Sequence, residues 1–480
     1  MEKLQTAQNY IDETPIWSDG TIAPKVPMTK MQWKIWFLAT AGKFFEGMVV
    51  FMTGIAMPLI SLQYSTTSFE NGILGASSLA GILVGATALG GLADRYGRKK
   101  MFIAEMVIFV ICIIALTFSF NFWLVVIALF GAGIALGCDY PTAHLMISES
   151  IPSRNRGKLV LGAFAFQAVG AIFGTGIGYL VLYYEPNIDA WRDMYAVIII
   201  PAILVIIARL SVTESPHWLV ASQRYIEAEK ELSVLLKRVP MYPKVINLRK
   251  KDKSHTQKEV KGTYKDLFTK HRKATIFASV PWFIQDLATY GIGIFTPLIL
   301  TATIGAKISV QTATDVIHND LLAAKSTAFI EIFFLVGIIF AIFLSDKLGR
   351  VKLQILGFIG CAIGLVIATI GNMLDQNITL IFIGFILFQF MTNLGPNSQT
   401  YLIAGEVFPT KVRGIGAGTA ASIAKIGAVI AVVLFPVLMN TIGTNALLFI
   451  LAGTSILGAW ITHKYKIETA GKNLENIGLD

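Results

Sequence analysis

The chain has 480 residues, 54% of them hydrophobic and only 15% charged, with a formal net charge of +10. So little charge cannot cover a globule of this size with a water-wetted surface, which argues against a soluble enzyme and for an integral membrane protein. The excess of Lys and Arg forms no block suited to nucleic acid; it gathers in loops that alternate along the chain.

Residues 1–32 are polar and mixed in charge, and lack the basic start, apolar core and small-residue site of a cleaved signal peptide. We expect an N-terminal tail there. A bilayer core needs ~20 apolar residues per helix, and residues 33–212 offer such runs at 34–60, 71–93, 101–120, 122–147, 159–184 and 193–212. Stretches such as MFIAEMVIFVICIIALTFSF are apolar all round, without the alternation of a barrel strand, so each run predicts a helix. The second run ends in GGLADRYGRKK, with Asp94, Gly97 and Arg98; the fourth is followed by SESIPSRNRG, with Glu149, Arg156 and Gly157. Ionisable groups stand inside the first run (Glu46) and the fourth (Asp139 and His144, with Tyr140 beside them in GCDYPTA), and Gln167 lies in the fifth. Lys43 is one turn from Glu46 and placed to pair with it. Cys112, Cys138 and Cys361 fall in apolar runs at unrelated spacings, so neither a disulfide framework nor a metal site is expected.

Residues 213–273 are polar and rich in Lys and Arg, as suits a cytoplasmic linker beside anionic lipid, and their IEAEKELSVLLKR portion predicts a short amphipathic helix. Residues 274–463 then give runs at 274–300, 326–345, 352–373, 377–404, 412–438 and 444–463, before a C-terminal tail at 464–480. In the seventh run Trp282, Asp286 and Tyr290 recur at i, i+4 and i+8, one helical stripe drifting by ~40° per step. IFLSDKLGRVK follows the eighth run, with Asp346, Gly349 and Arg350; GEVFPTKVRG follows the tenth, with Glu406, Arg413 and Gly414. Glu331 lies in the eighth run, Asn397 in the tenth and Lys425 in the eleventh. Loops around Glu70, Asn121, Glu185 and Asp375 are poor in Lys and Arg, which places the basic loops and both termini in the cytoplasm.

The two halves repeat. Asp94, Gly97 and Arg98 match Asp346, Gly349 and Arg350, while Glu149 and Arg156 match Glu406 and Arg413 at a constant offset of 257 residues. Together with TESPHWL at 213–219 and IETAGKNLENI at 467–477, these loops resemble the major facilitator superfamily in its sugar-porter-like branch, over nearly the whole chain. The resemblance implies an all-α membrane fold of twelve helices in two pseudo-symmetric six-helix bundles, with the solute site between them at mid-membrane. It also implies a multi-pass transporter of the plasma or inner membrane, not an enzyme and without a cofactor, acting as a monomer on a small solute and protons. The spacing of Asp94 with Arg98 and of Glu149 with Arg156 suits charged latches at helix ends. In the family such latches gate the cytoplasmic side, which extends the expectation to Asp346, Arg350, Glu406 and Arg413.

Charges inside the spans carry the substrate reading, because each costs ~2.5–3.5 kcal/mol to insert and is expected to face a functional cavity. Lys425 needs either a counter-charge, Asp139 or Asp286, or an anionic ligand. Tyr140 and Gln167 fall at pseudo-symmetric positions to Asn397 and the neighbour of Lys425. GCDYP, the fifth-helix Gln, the Trp-x-x-x-Asp-x-x-x-Tyr stripe, GPN and the eleventh-helix Lys resemble the phosphate:proton symporters. The resemblance implies that Tyr140, Gln167, Trp282, Asp286, Tyr290, Asn397 and Lys425 surround phosphate and that Asp139 moves protons, as Asp286 also could. Where those symporters carry first-helix Asp residues this chain has KFFEGMVVF, so Glu46 is expected to take that proton role. His144 and Glu331 match no motif and read as supporting or packing residues. The competing expectation is a proton-coupled sugar, polyol or small organic acid carrier of the same fold; a binding-only nutrient sensor is disfavoured by the short tails.

Overall fold

A computed structural model describes residues 6–14, 22, 26–89, 91–237, 246–248, 263–304, 313–374, 376–409 and 412–470. The fold is all-α, and among the described residues 12 helices are long and apolar enough to cross a membrane. They are α1 (Lys30–Tyr64), α2 (Ser68–Val84, continued by a π-helical turn Gly85–Leu89), α3 (Arg98–Thr117), α4 (Phe122–Ser150), α5 (Arg156–Tyr184) and α6 (Ala190–Leu210) in the first half. The second half has α7 (Arg272–Ile304), α8 (Ala313–Leu348), α9 (Arg350–Met373), α10 (Ile378–Glu406), α11 (Arg413–Ile442) and α12 (Thr444–Tyr465).

The helix starts follow local chemistry. Thr29 and Gln32 exchange hydrogen bonds at the head of α1, Thr67 and Glu70 do the same for α2, and Asn121 and Asn377 accept from Leu124 N and Leu380 N. α10 breaks at Gly395, where Pro396 cannot donate to the preceding turn and restarts the helix.

Lipid tails are as apolar as Leu, so helices in a bilayer gain by close packing of small residues. α1 and α5 meet in this way: a Cβ built on Gly47 would lie 2.0 Å from Gln167 O, and one on Gly170 1.9 Å from Phe44 O. One continuous apolar core contains Phe45, Met48 and Tyr195 of the first half and Phe295, Phe334 and Phe435 of the second.

The halves touch most closely at the end away from the basic loops, the far side. A Cβ on Gly54 of α1 would sit 2.1 Å from Ile294 O of α7, and one on Gly72 of α2 2.2 Å from Val433 O of α11. Phe295 and Phe435, both of the second half, stack with centroids 4.9 Å apart, and Asn440 Nδ2 donates across the interface to Ser68 Oγ at 2.5 Å.

The largest difference from the apolar runs is in α8, which begins at Ala313 rather than near 326. Its first turns, ATDVIHND, are polar and drop out of a hydropathy reading, yet Asn319 and Asp320 in them are buried. At the basic end, the linker forms helices Pro216–Ala221, Tyr225–Leu235 and Tyr264–Phe268, the second being the amphipathic one expected, with Ala228, Leu232 and Leu235 buried. The N-terminal tail docks there as well, through helix Ala7–Asp12 and a hydrogen bond from Ser153 N to Asp12 Oδ1 at 2.7 Å.

Candidate functional site

Between the halves lies a cavity of about 410 Å³, bordered by α2, α4 and α5 on one side and α7, α10 and α11 on the other. It runs from mid-membrane to Gly414, Ile415 and Tyr264 at the basic end, while the far-side contacts shut it from the other direction. Tyr264 is carried by the short helix Tyr264–Phe268. The Thr263 N–H and hydroxyl cap that helix on Asp266, and with Lys270 they hold its half-buried carboxyl down at about 2.

The stripe predicted on the seventh helix is realised, with Trp282, Asp286 and Tyr290 all lining the cavity. Lys425 reaches in from α11 and donates to Asp286 Oδ2 at 3.1 Å and to the Tyr290 hydroxyl at 2.7 Å. Gln167 comes from α5 and donates to Tyr290 OH at 2.9 Å and to Glu46 Oε1 at 3.4 Å. Lys43 bonds Glu46 Oε2 at 2.5 Å, the pairing expected from their spacing. Two cations and two carboxylates therefore form a neutral, hydrogen-bonded chain across the interface of the halves, closed by Tyr290 and Gln167. Of the counter-charges considered for Lys425, the structure selects Asp286 and not Asp139.

Asn397 borders the cavity just after the break in α10, donates to Asn393 Oδ1 at 2.7 Å and accepts from Gln285 Nε2 at 3.1 Å. Tyr401, one turn further, stacks on Phe164 at 4.8 Å across the cleft. Tyr140 lies on α4, but its side chain is outside the described set.

Asp139 is not brought to this cavity. It is buried in the first half, where Arg209 Nη1 bonds its Oδ1 at 2.6 Å and also donates to Phe102 O, while Nη2 donates to Leu38 O. Gly42 makes room for it: a Cβ there would lie 1.7 Å from Asp139 Oδ2, so the carboxylate would have to shift. A second, small cavity of about 30 Å³, bordered by Gly42, Lys43, Glu46, Asp139 and His144, links this pair to the central charges and has room for a water. Glu105 completes the cluster: Thr142 Oγ1 donates to its Oε1 at 2.8 Å, and its Oε2 has no hydrogen-bond partner.

Arg209 and Glu105 are the residues that sequence reasoning missed. Arg209 stands at the end of the sixth run, where an Arg reads as a group reaching for the headgroups. Glu105 is legible as the lone acid of MFIAEMVIF.

The loop charges assemble at the basic end, each set within one half. Arg98 bonds Asp94 at 2.7 Å and Glu149 at 3.2 Å; Arg350 bonds Asp346 at 2.7 Å and Glu406 at 3.3 Å. The partner of Glu149 is thus Arg98, joined by the Ser215 hydroxyl, and the Arg156 side chain is outside the described set. Arg413 donates to Phe408 O. None of these pairs spans the cleft, as befits a conformation open at this end.

Residues 33–480 match the family model described as sugar (and other) transporter. The chain is 26% identical over 517 residues to "Probable inorganic phosphate transporter 1-6" of Arabidopsis thaliana, covering 95% of this chain and 96% of that one. It is also 26% identical over 435 residues to "Glucose transporter GlcP" of Staphylococcus epidermidis, covering 88% and 91%. In structure it is similar to the partially occluded, inward-open xylose transporter XylE from Escherichia coli, with a TM-score of 0.73 at 21% identity over 93% of this chain and all of the other.

Proposed function

The chain belongs to the sugar (and other) transporter family, and from that premise we propose that it imports inorganic phosphate with protons by alternating access. The observation that carries this reading is Lys425, a cation deep in the membrane that faces the cavity and is held by Asp286 and Tyr290. Asp286 balances it in the empty site, and an anion, unlike a neutral solute, can share that balance when bound. Phosphate keeps a proton near neutral pH, so it can donate to Asp286 while its oxygens accept from Lys425, Tyr290, Trp282, Gln167 and Asn397. Sulfate has no such proton, and Asp286 repels it.

The charge balance supplies the coupling. Lys43, Glu46, Asp286 and Lys425 cancel when the site is empty, so a monoanion leaves one negative charge uncompensated in a low dielectric. A proton on Glu46 or Asp286, relayed by way of Asp139 and the small cavity, restores neutrality and lets the halves close over the load. In this reading the basic end faces the cytoplasm with both termini, the protein sits in the cell membrane as a monomer, and the present conformation is the one that releases phosphate inward. A sugar or polyol is the second reading, favoured by the amides Gln285, Asn393 and Asn397 at the break in α10.

Uptake of radiolabelled phosphate into proteoliposomes under an inward proton gradient separates the two. Phosphate import should fall about 10- to 100-fold in Lys425→Ala, the loss of one charge-assisted contact, with sulfate and glucose failing to compete. Glucose import that survives Lys425→Gln would instead establish the sugar reading.

A further inference from the structure

The inner face of α8 carries a buried polar column that the cavity does not use. Asp320, 1% exposed, has no hydrogen-bond partner for either carboxylate oxygen, and Thr327 Oγ1 and Glu331 Oε2 are likewise unpartnered. The three lie on one helix face, and Asp320 and Glu331 are 11 residues apart, a span of ~16 Å. Val316, one turn before Asp320, borders a far-side vestibule of about 300 Å³.

Glu331 is fully buried and accepts from Gln389 Nε2 at 2.7 Å. That leaves two oxygens of this one pair without a donor, Glu331 Oε2 and Gln389 Oε1. A single proton on Oε2 supplies the missing donor, and acid and amide can then close a two-bond ring. No charged side chain competes for the role among the described residues. α5 from Leu159 to Tyr184 has none, and α10 has only Glu406, bound to Arg350 at the basic end. Glu46 of α1 and Asp286 of α7 are taken by Lys43 and Lys425. Arg350 of α9 is bound to Asp346, and His318 and Lys325 of α8 itself are exposed.

From Gln389 the contact continues to the cavity. Asn393 Nδ2 donates to Gln389 O at 2.8 Å, Asn397 Nδ2 to Asn393 Oδ1 at 2.7 Å, and Asn397 borders the cavity.

We propose that Glu331 is a proton-binding site of the second half, filled from the far side past Asp320 and Thr327, and that its occupancy is passed to the cavity through Gln389, Asn393 and Asn397. Hydronium in the vestibule gives up one proton and becomes water; one O–H bond forms at Glu331 Oε2. The role in transport rests on the proton-coupled reading above, but the site itself does not.

Infrared difference spectroscopy of the substrate-free protein in lipid tests it directly. Wild type should show the C=O stretch of a buried protonated carboxyl at neutral pH that Glu331→Gln removes, and Asp320→Asn should slow its response to a far-side pH jump at least tenfold. In proteoliposomes Glu331→Gln should keep solute exchange but lower the proton-to-solute ratio by one. A Glu331→Gln spectrum that superimposes on wild type overturns the site, and an unchanged rate in Asp320→Asn overturns the far-side route. If the band behaves as expected while wild type moves no solute, the transport reading falls and the proton site stands.

Discussion

At the scale of the residue, the ion pair of Asp139 with Arg209 shows how much a single buried charge can demand. Arg209 is 0% exposed and bonds Asp139, Phe102 O and Leu38 O at once, so truncating it leaves a buried carboxylate uncompensated and takes a second donor from two helix carbonyls. Breaking such a pair costs about 3–5 kcal/mol, whereas removing both charges costs far less. Arg209→Gln should therefore lower thermal stability in detergent by that amount, and Asp139→Asn/Arg209→Gln should recover most of it. An equal loss in single and double variants would mean that packing, not charge, holds the site. Lys425, Asp286 and Tyr290 were legible in the sequence because a charge inside an apolar run has few excuses. Arg209 was not, because an Arg three residues from the end of a run has a ready one.

At the scale of the element, the loops that repeat in sequence repeat in structure for one reason. Gly97 and Gly349 precede α3 and α9 with φ of +104° and +88°, a region open to glycine alone. In each half a Glu from a later segment caps the new helix: Glu214 accepts from Lys99 N, and Glu468 from Arg350 N and Val351 N. Ser215 and Thr469, their neighbours, hold Glu149 and Glu406. Glu214–Ser215 of TESPHWL and Glu468–Thr469 of IETAGKNLENI are thus two copies of one clasp. The sequence showed both as family signatures but not their equivalence, because only the Glu-Ser and Glu-Thr pairs correspond. Gly97→Ala would impose a forbidden φ and place Cβ 2.7 Å from Glu214 Oε2. It should cost about 1–3 kcal/mol, readable as a lower Tm; an unchanged Tm would show that the loop relaxes freely.

At the scale of the whole molecule, the fold was legible because twelve apolar runs and a repeat leave few alternatives. The conformation was not, since opening and closing depend on side-chain fit between halves that no run or motif encodes. The far-side seal depends on Gly54 against Ile294 O and Gly72 against Val433 O, where the opposing atom is backbone and cannot swing aside. Gly54→Val or Gly72→Val should wedge this end open. Solute uptake should fall at least tenfold while a cysteine placed near Phe295 becomes reactive from the far side. Retained uptake would mean that the helices slide past one another to seal elsewhere.

The neutral chain of Lys43, Glu46, Asp286 and Lys425 also decides when the membrane voltage can act. With the cavity empty these four groups sum to zero, so they add no charge movement to the return step. For these groups voltage bears on the loaded step, at ~2.3 kcal/mol per net charge per 100 mV. If the load is phosphate, as proposed, one proton per monovalent anion would make the whole cycle electrically silent. A second proton, released from Glu331, would leave its carboxylate to cross the field uncompensated on the return, making the same carrier a current source driven by the cell's own potential.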